Sequence, residues 1–359
     1  MSRDNSTFWG IDKHTIVKHQ ILKYYLSAWF PIISSWNNEV LYIDGFAGPG
    51  RYSNNEDGSP IIAINTALDQ PSLRKSKEII FLFIEKHSER LLSLKSTIHE
   101  KFQNLPSNFK IYVEGGEFQP ILSSILDGIK ESETLFPAFV FIDPFGYSGF
   151  PMKTIHHIFR FKTTEILVTF MSGFLKRFIN QTQYKTIFTE LFGDNGWEKA
   201  NELEGSDRED FLVNYYCSKL KEKVKHVKHF QMRNKDNNLI YHLVFGTQHL
   251  RGLEAMKESM FKVDRHHEYK FSDSTDPRQT YIIDYLNEEG WVQHAGNELL
   301  INFSGKIVGL KEIKEYVIEN TPYIFRRQIL SKLEKDNKIK VFDRIRRNTY
   351  PDGCKIKFL

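Results

Sequence analysis

Cysteine is nearly absent: Cys217 and Cys354 are the only two in 359 residues. A disulfide framework, a cysteine-rich zinc site and an iron–sulfur cluster held by this chain alone are therefore excluded, and a reducing, cytoplasmic setting is expected. Long apolar runs are missing too. Phe136–Ile142 and Ile79–Ile84 are strand-sized, whereas a membrane-spanning helix needs about 20 apolar residues. The opening Met1-Ser-Arg-Asp-Asn-Ser-Thr7 has no apolar stretch behind it, so no secretory leader is expected. The chain has no H-E-x-x-H, no G-x-S-x-G and no G-x-x-x-x-G-K, the marks of zinc proteases, serine hydrolases and P-loop proteins. The pairs His156-His157 and His266-His267 are adjacent, so neither can turn both rings to one ion from a regular element, and no metal is expected.

Hydrophobic residues make up 40% and aromatics 14%, enough for a large core with rings left for stacking on ligands. The net charge of +4 is uneven. Residues 321–359 carry +7 and the rest −3, and Lys219–Lys228 adds a second basic stretch. Such runs are either solvated faces or the footprint of a polyanion.

Residues 8–36 have the apolar spacing of one long helix, with Pro31 predicted to kink or end its first part. Lys13, His14, Lys18 and His19 on that helix read as solvated, the alternative being a roof over a pocket. Strands at Glu39–Asp44, Ile79–Glu85, Lys110–Val113, Ala138–Asp143 and Glu165–Phe170 alternate with helices at 61–69, 88–102 and 118–129. This predicts an α/β fold, a Rossmann-like parallel sheet covered on both faces. A mainly helical insertion over 174–226 and a hairpin, Phe230–Arg233 with Leu239–Phe245, are expected to complete a first domain over 1–272. A linker over 273–279 would lead to a second domain, 280–359. Its helices near 279–288, 310–319 and 322–336 and strands at Ile339–Arg344 and Lys355–Leu359 follow a winged-helix order.

The candidate site lies at the strand ends. Asp44-Gly-Phe-Ala-Gly-Pro-Gly50 follows the first strand, where Gly48 and Gly50 let a ligand approach backbone. Asp44, Gly45, Phe46, Ala47, Gly48 and Gly50 are the expected cofactor loop. Glu85, ending the second strand, can accept hydrogen bonds from two ribose hydroxyls, and Glu114-Gly115 after the third can frame an adenine. Without a G-x-G-x-x-G to support a pyrophosphate, the set favours S-adenosylmethionine over NAD. The fourth strand ends in Asp143-Pro144-Phe145-Gly146. There Asp143 and the Pro144 carbonyl can hold an exocyclic amine while an aromatic ring stacks on the base. These four are the catalytic candidates, the competing reading being a buried strand closed by a proline turn. In the second domain, Arg326, Arg327, Arg344, Arg346 and Arg347 are the candidate nucleic-acid contacts, and docking of a protein is the alternative.

Trp9, His14, Ile43–Tyr52, Gly58-Ser-Pro60, Phe141–Gly146 and Tyr241–Phe245 together resemble the three-Cys-motif partner proteins of bacteria. The resemblance spans most of 8–270. It implies a class I methyltransferase-like fold and association with a separate protein bearing three clustered cysteines, a radical S-adenosylmethionine enzyme. Asp44–Tyr52 is similar to the loop of a 23S rRNA adenine-N6 methyltransferase family, and Asp143–Gly146 to the fourth motif of tRNA guanine-N2 dimethyltransferases. Those families apply the Asp-Pro pair to an amino group. Phe145 and Gly146 stand where the adenine enzymes carry Pro-Tyr, which leaves the base open. The expected function is transfer of the S-adenosylmethionine methyl to an amino group of a nucleic-acid base. The alternative is a non-catalytic nucleic-acid-binding partner of the radical protein in a bacterial defence or repair system.

Overall fold

The apolar spacing after Ile16 produces one long helix, α1 (Lys13–Ser34), which buries Val17, Ile21, Leu22, Tyr25, Leu26, Trp29 and Phe30. Pro31 falls in its last turn, where the helix accommodates it and ends shortly after. The computed structural model describes residues 11–73, 78–129, 135–144, 150–264, 268–274, 282–346 and 349–359, with the backbone alone over 282–289. The chain divides into two compact units. One runs to Ser259 and takes in the stretch from Phe271; the other holds Met260–Lys270 and the chain beyond the linker to Leu359.

The first unit is built on one large sheet. Strands β1 (Glu39–Asp44), β2 (Glu78–Glu85), β3 (Phe109–Gly115), β4 (Ala138–Ile142) and β5 (Thr164–Phe170) are parallel. Strands β6 (His226–Arg233) and β7 (Leu239–Thr247) form an antiparallel pair joined to β5 through β7, and the short β8 (Lys270–Ser272) lies beyond β6. Their order is β3-β2-β1-β4-β5-β7-β6-β8. This mixed α/β architecture with a mostly parallel central sheet matches the Rossmann-like methyltransferase fold expected from the sequence.

Helices α2 (Ser59–Leu68), α3 (Ser88–Lys101), α4 (Phe118–Gly128) and α5 (Met152–Ile158) occupy the crossovers. The stretch expected to be a helical insertion contains α6 (Ser172–Phe178), α7 (Lys185–Phe192) and α8 (Gly205–Lys221); α9 (Leu250–Phe261) follows the hairpin. The sheet's alternating residues feed two layers. Ile43, Ile84, Val140 and Val168 pack with Phe118, Leu122 and Ile155 on one face. On the other, Tyr42, Phe81 and Phe139 form an aromatic floor under α1, with the Tyr25 ring 5.1 Å from Phe139.

Glu165 is the exception within a fully buried strand. Its carboxylate accepts hydrogen bonds from the hydroxyls of Tyr25 and, at 2.5 Å, Thr247. Helix α9 can lie against it because position 252 is glycine: a Cβ there would stand 2.2 Å from Glu165 Oε1.

The second unit contains α10 (Ile282–Phe303), β9 (Ile307–Gly309), α11 (Leu310–Asn320), α12 (Arg327–Lys335), β10 (Ile339–Phe342) and β11 (Lys355–Phe358). The first helix runs well past the expected 288, and β9 was not foreseen, being only three residues long. The strands form an antiparallel sheet in the order β10-β11-β9. Its inner face, with Val308, Ile339, Ile356 and Phe358, packs in one core with Leu299, Ile313, Ile329 and Leu333 of the helices. Among the described residues, no helix of either unit is long and apolar enough to cross a membrane.

Candidate active site

Strand order reverses between β1 and β4: from β1 the chain steps outward to β2 and β3, then returns to place β4 on the other flank. The crevice at such a reversal, beyond the carboxyl ends of the strands, is where open α/β sheets bind ligands. Asp44 closes β1 in register with Phe141 of β4, which brings the glycine loop and Asp143 to this crevice.

The three glycines of the loop do not all serve one purpose. A Cβ on Gly45 would meet the Phe118 ring at 2.6 Å, and one on Gly50 would meet Leu94 Cδ1 at 2.9 Å, so both serve packing. Gly48, with φ +65°, has open space where its Cβ would be. Both Gly48 and Gly50 line the cleft, and of the two only the Cβ position of Gly48 is open. Asp44 Oδ1 accepts the Phe46 N–H at 3.2 Å, turning the chain out of the strand. Phe46 packs edge-on against Phe118, and Ala47 is buried with its N–H on the Ile84 carbonyl. The Gly58 N–H closes the loop onto the Gly50 carbonyl at 2.8 Å.

Asp44 is fully buried and its Oδ2 has no hydrogen-bond partner among the described residues. Burial pushes its pKa up to about 7, against hydrogen bonds from Ser59 and Phe46 that pull it down. The hydroxyl of Tyr42, on the same strand, is likewise buried and unpartnered.

Helix α1 covers this end of the sheet, which corrects the solvated reading for Lys18 and His19, while Lys13 is exposed. Lys18, 6% exposed, donates its ammonium to Asp143 Oδ2 and lies 5.5 Å from the centre of the Tyr241 ring. His19 is buried beside Tyr52, with Nδ1 unpartnered among the described residues. Burial, helped by the charge of Lys18, lowers the His19 pKa to about 3, so the ring is neutral. The start of the helix is pinned down: His14 Nδ1 lies 2.9 Å from Asp273 Oδ2, Lys13 reaches the Asp273 carbonyl, and the Tyr241 hydroxyl reaches the His14 carbonyl. The signal in the sequence was the spacing, since Lys18 stands on the stripe of Ile21, Leu22 and Tyr25, at i+3, i+4 and i+7.

Glu85 is at the crevice, but its carboxylate is engaged. Oε2 accepts the Gly48 N–H and Oε1 the His87 N–H, each at 2.8 Å, and the residue is 4% exposed. As it stands, Glu85 fixes the glycine loop. Glu114 and Gly115 lie exposed on the edge strand β3, and a Cβ on Gly115 would strike Leu91. They do not line the cleft, whose walls are His19, the loop from Phe46 to Tyr52, Gly58, Ser59 and Asp143. That cleft has room for little more than a water molecule. Pro144 follows Asp143 directly; Phe145 and Gly146 lie outside the described residues.

In the second unit, Arg326 precedes α12 and Arg327 begins it, both exposed, and Arg346 is also exposed. Arg344 is not available to a phosphate. Its guanidinium forks onto both oxygens of Glu334, which also accepts the Tyr350 hydroxyl at 2.8 Å. Arg347 lies outside the described residues.

No family model matches the chain, and no curated protein does. Among solved structures, Trm1 from Pyrococcus horikoshii in complex with S-adenosyl-L-methionine is similar at 12% identity, over 99% of this chain and 93% of that one, with a TM-score of 0.40. A DUF519-family protein from Legionella pneumophila is similar at 12% identity over 66% and 85%, with a TM-score of 0.39. Human methyltransferase-like protein 13 in complex with SAH is similar at 9% identity over 70% and 92%, with a TM-score of 0.35. These are remote likenesses, and the fold stands on its own strand order and register.

Proposed function

We propose that the chain is an S-adenosylmethionine-dependent methyltransferase acting on an amino group of a nucleic-acid base. The observation that carries this reading is the ammonium of Lys18 seated on Asp143 in the cleft that Gly48 also lines. It supports a carboxylate that takes a nitrogen donor where an acceptor amine is needed. The unpartnered His19 Nδ1 and the open space at Gly48 support a polar ligand on this wall, for which the narrow cleft would have to widen. Asp44–Gly50 and Glu85 would hold S-adenosylmethionine, which when bound supplies an electrophilic methyl group on a sulfonium.

For the acceptor, Asp143 takes one amine hydrogen and the Pro144 carbonyl the other, which aims the nitrogen lone pair. The chain's contribution is positioning, with no covalent intermediate on a side chain. An acceptor amine that uses Asp143 Oδ2 takes the place of the Lys18 ammonium there. The second unit, read as a winged helix, would supply nucleic-acid affinity through its basic surface.

A second reading has an observation of its own. With both Glu85 oxygens held by backbone N–H groups and a narrow cleft, the unit fits a non-catalytic partner of a three-cysteine radical S-adenosylmethionine protein, as the sequence resemblance implies.

Transfer of a labelled methyl group from S-adenosylmethionine to mixed RNA and to DNA separates the two. The enzyme reading expects label in nucleic acid with the wild type and none with Asp143→Ala at a cofactor affinity within a few-fold. Absence of label under all conditions, with the cofactor bound, would favour the partner reading.

A further inference from the structure

The second unit carries a basic face that is distinct from the arginines of α12 and the wing. Strand alternation sends one side of each strand inward, and register fixes what faces out. Lys340 stands opposite Lys357, Phe342 opposite Lys355, and Lys357 opposite Ile307. The six outward positions of the sheet are thus three lysines, Phe342, Ile307 and Gly309, without one acid. Among the described residues, none of the three lysines has an ion-pair partner.

This arrangement is unfavourable by itself. Directly opposed side chains have Cβ atoms about 5 Å apart, and like charges so placed repel. Lys355 and Lys357, two residues apart on the central strand, lie about 7 Å from each other. Phe342 is 45% exposed and Ile307 59% exposed beside them. A folded unit with a large helix-packed core has no packing need for an aromatic ring and three like charges on its open side.

We infer that this sheet face is a binding platform for single-stranded nucleic acid, with Lys340, Lys355 and Lys357 on phosphates and Phe342 stacked on a base. A polyanion relieves the repulsion and releases its own counterions. An exposed ring among lysines serves an unpaired strand, because every base has a face to stack while a duplex hides it. The inference rests on the nucleic-acid reading for the identity of the polyanion and is independent of methyl transfer.

The test is fluorescence anisotropy of a fluorescein-labelled oligouridylate with the full chain, over a series of KCl concentrations. The variants are Lys340→Gln/Lys355→Gln/Lys357→Gln, Phe342→Ala, and Arg326→Gln/Arg327→Gln. The triple lysine variant should flatten the log–log salt slope by about 2, at about 0.7 per phosphate contact. Phe342→Ala should weaken binding about tenfold, with the slope unchanged. The substituted lysines are exposed and their mutual repulsion is removed, so thermal melts should match or slightly exceed the wild type. A slope that survives the lysine triple but flattens in the arginine pair would overturn the platform and keep the nucleic-acid reading. No binding of the oligonucleotide by the wild type, with poly-L-glutamate bound instead, would overturn both in favour of an acidic protein partner.

Discussion

Lys18 of the first helix and Asp143 at the end of the fourth strand, 125 residues apart in sequence, form an ion pair over the glycine loop. The pair ties the helix that covers the sheet to the residue expected to hold the acceptor amine. A ligand that takes Asp143 Oδ2 must displace Lys18 from it.

Removing one partner leaves the other charge stranded. Lys18→Met should therefore lower unfolding stability by about 1–3 kcal/mol, less than for a fully buried pair because Asp143 retains some exposure to water. Lys18→Met/Asp143→Asn should recover part of that loss. Urea denaturation of the wild type, both single variants and the double variant measures the coupling; additive losses would show that the two groups do not interact.

Much of this site was legible. Asp44 and the glycines announced a strand end, and the helix expected over 61–69 is α2, which starts two residues earlier at Ser59. Lys18 and His19 were not, because a basic residue on an apolar stripe reads as solvated until its partner is known, and that partner lies on another crossover. The engagement of Arg344 was hidden for the same reason. A wing arginine looks like a phosphate contact until Glu334, on the neighbouring helix, claims its guanidinium. The satisfied state of Glu85 could not be read either, since the hydrogen bond from Gly48 exists only once the loop is folded.

The glycines of the loop should part company under substitution. Gly48→Ala should cost about 1–3 kcal/mol through its positive φ and should impair cofactor binding. Gly50→Ala adds the Leu94 contact to its own positive φ and should be the less stable of the two. Thermal melts of both variants check the order.

Asp44 makes a signed pH prediction. Its folded pKa, about 7, lies above its unfolded value of 3.8, so between these values the folded chain holds a proton the unfolded chain has released. Stability from this group is fully present below pH 4 and is lost as pH rises through 7. His19 acts oppositely between pH 3 and 6.5, where the unfolded chain takes the extra proton. Asp44→Asn removes the first effect alone. Relative to the wild type it should gain stability steadily from pH 4 to pH 7, and a difference independent of pH would refute the assignment.

Gly252→Ala should destabilise the first unit by about 2–3 kcal/mol or more, because its methyl group must displace the carboxylate of Glu165. Gly252→Ala/Glu165→Ala, which frees that space, should be less damaging than the two separate losses predict. Denaturation midpoints decide it.

Arg344→Ala should lower the stability of the second unit by about 1–2 kcal/mol while leaving the salt dependence of oligonucleotide binding almost unchanged, since its guanidinium already serves Glu334. A flattened salt slope at wild-type stability would return Arg344 to the phosphate contacts.

The central claim is that the crevice at Gly48 takes S-adenosylmethionine beside an amine site at Asp143. Its most direct test is a calorimetric titration of the wild type, Gly48→Leu and Asp143→Ala with S-adenosylmethionine. Saturable binding by the wild type and Asp143→Ala, abolished in a folded Gly48→Leu, is the predicted result. Absence of binding by the wild type at millimolar ligand would contradict it.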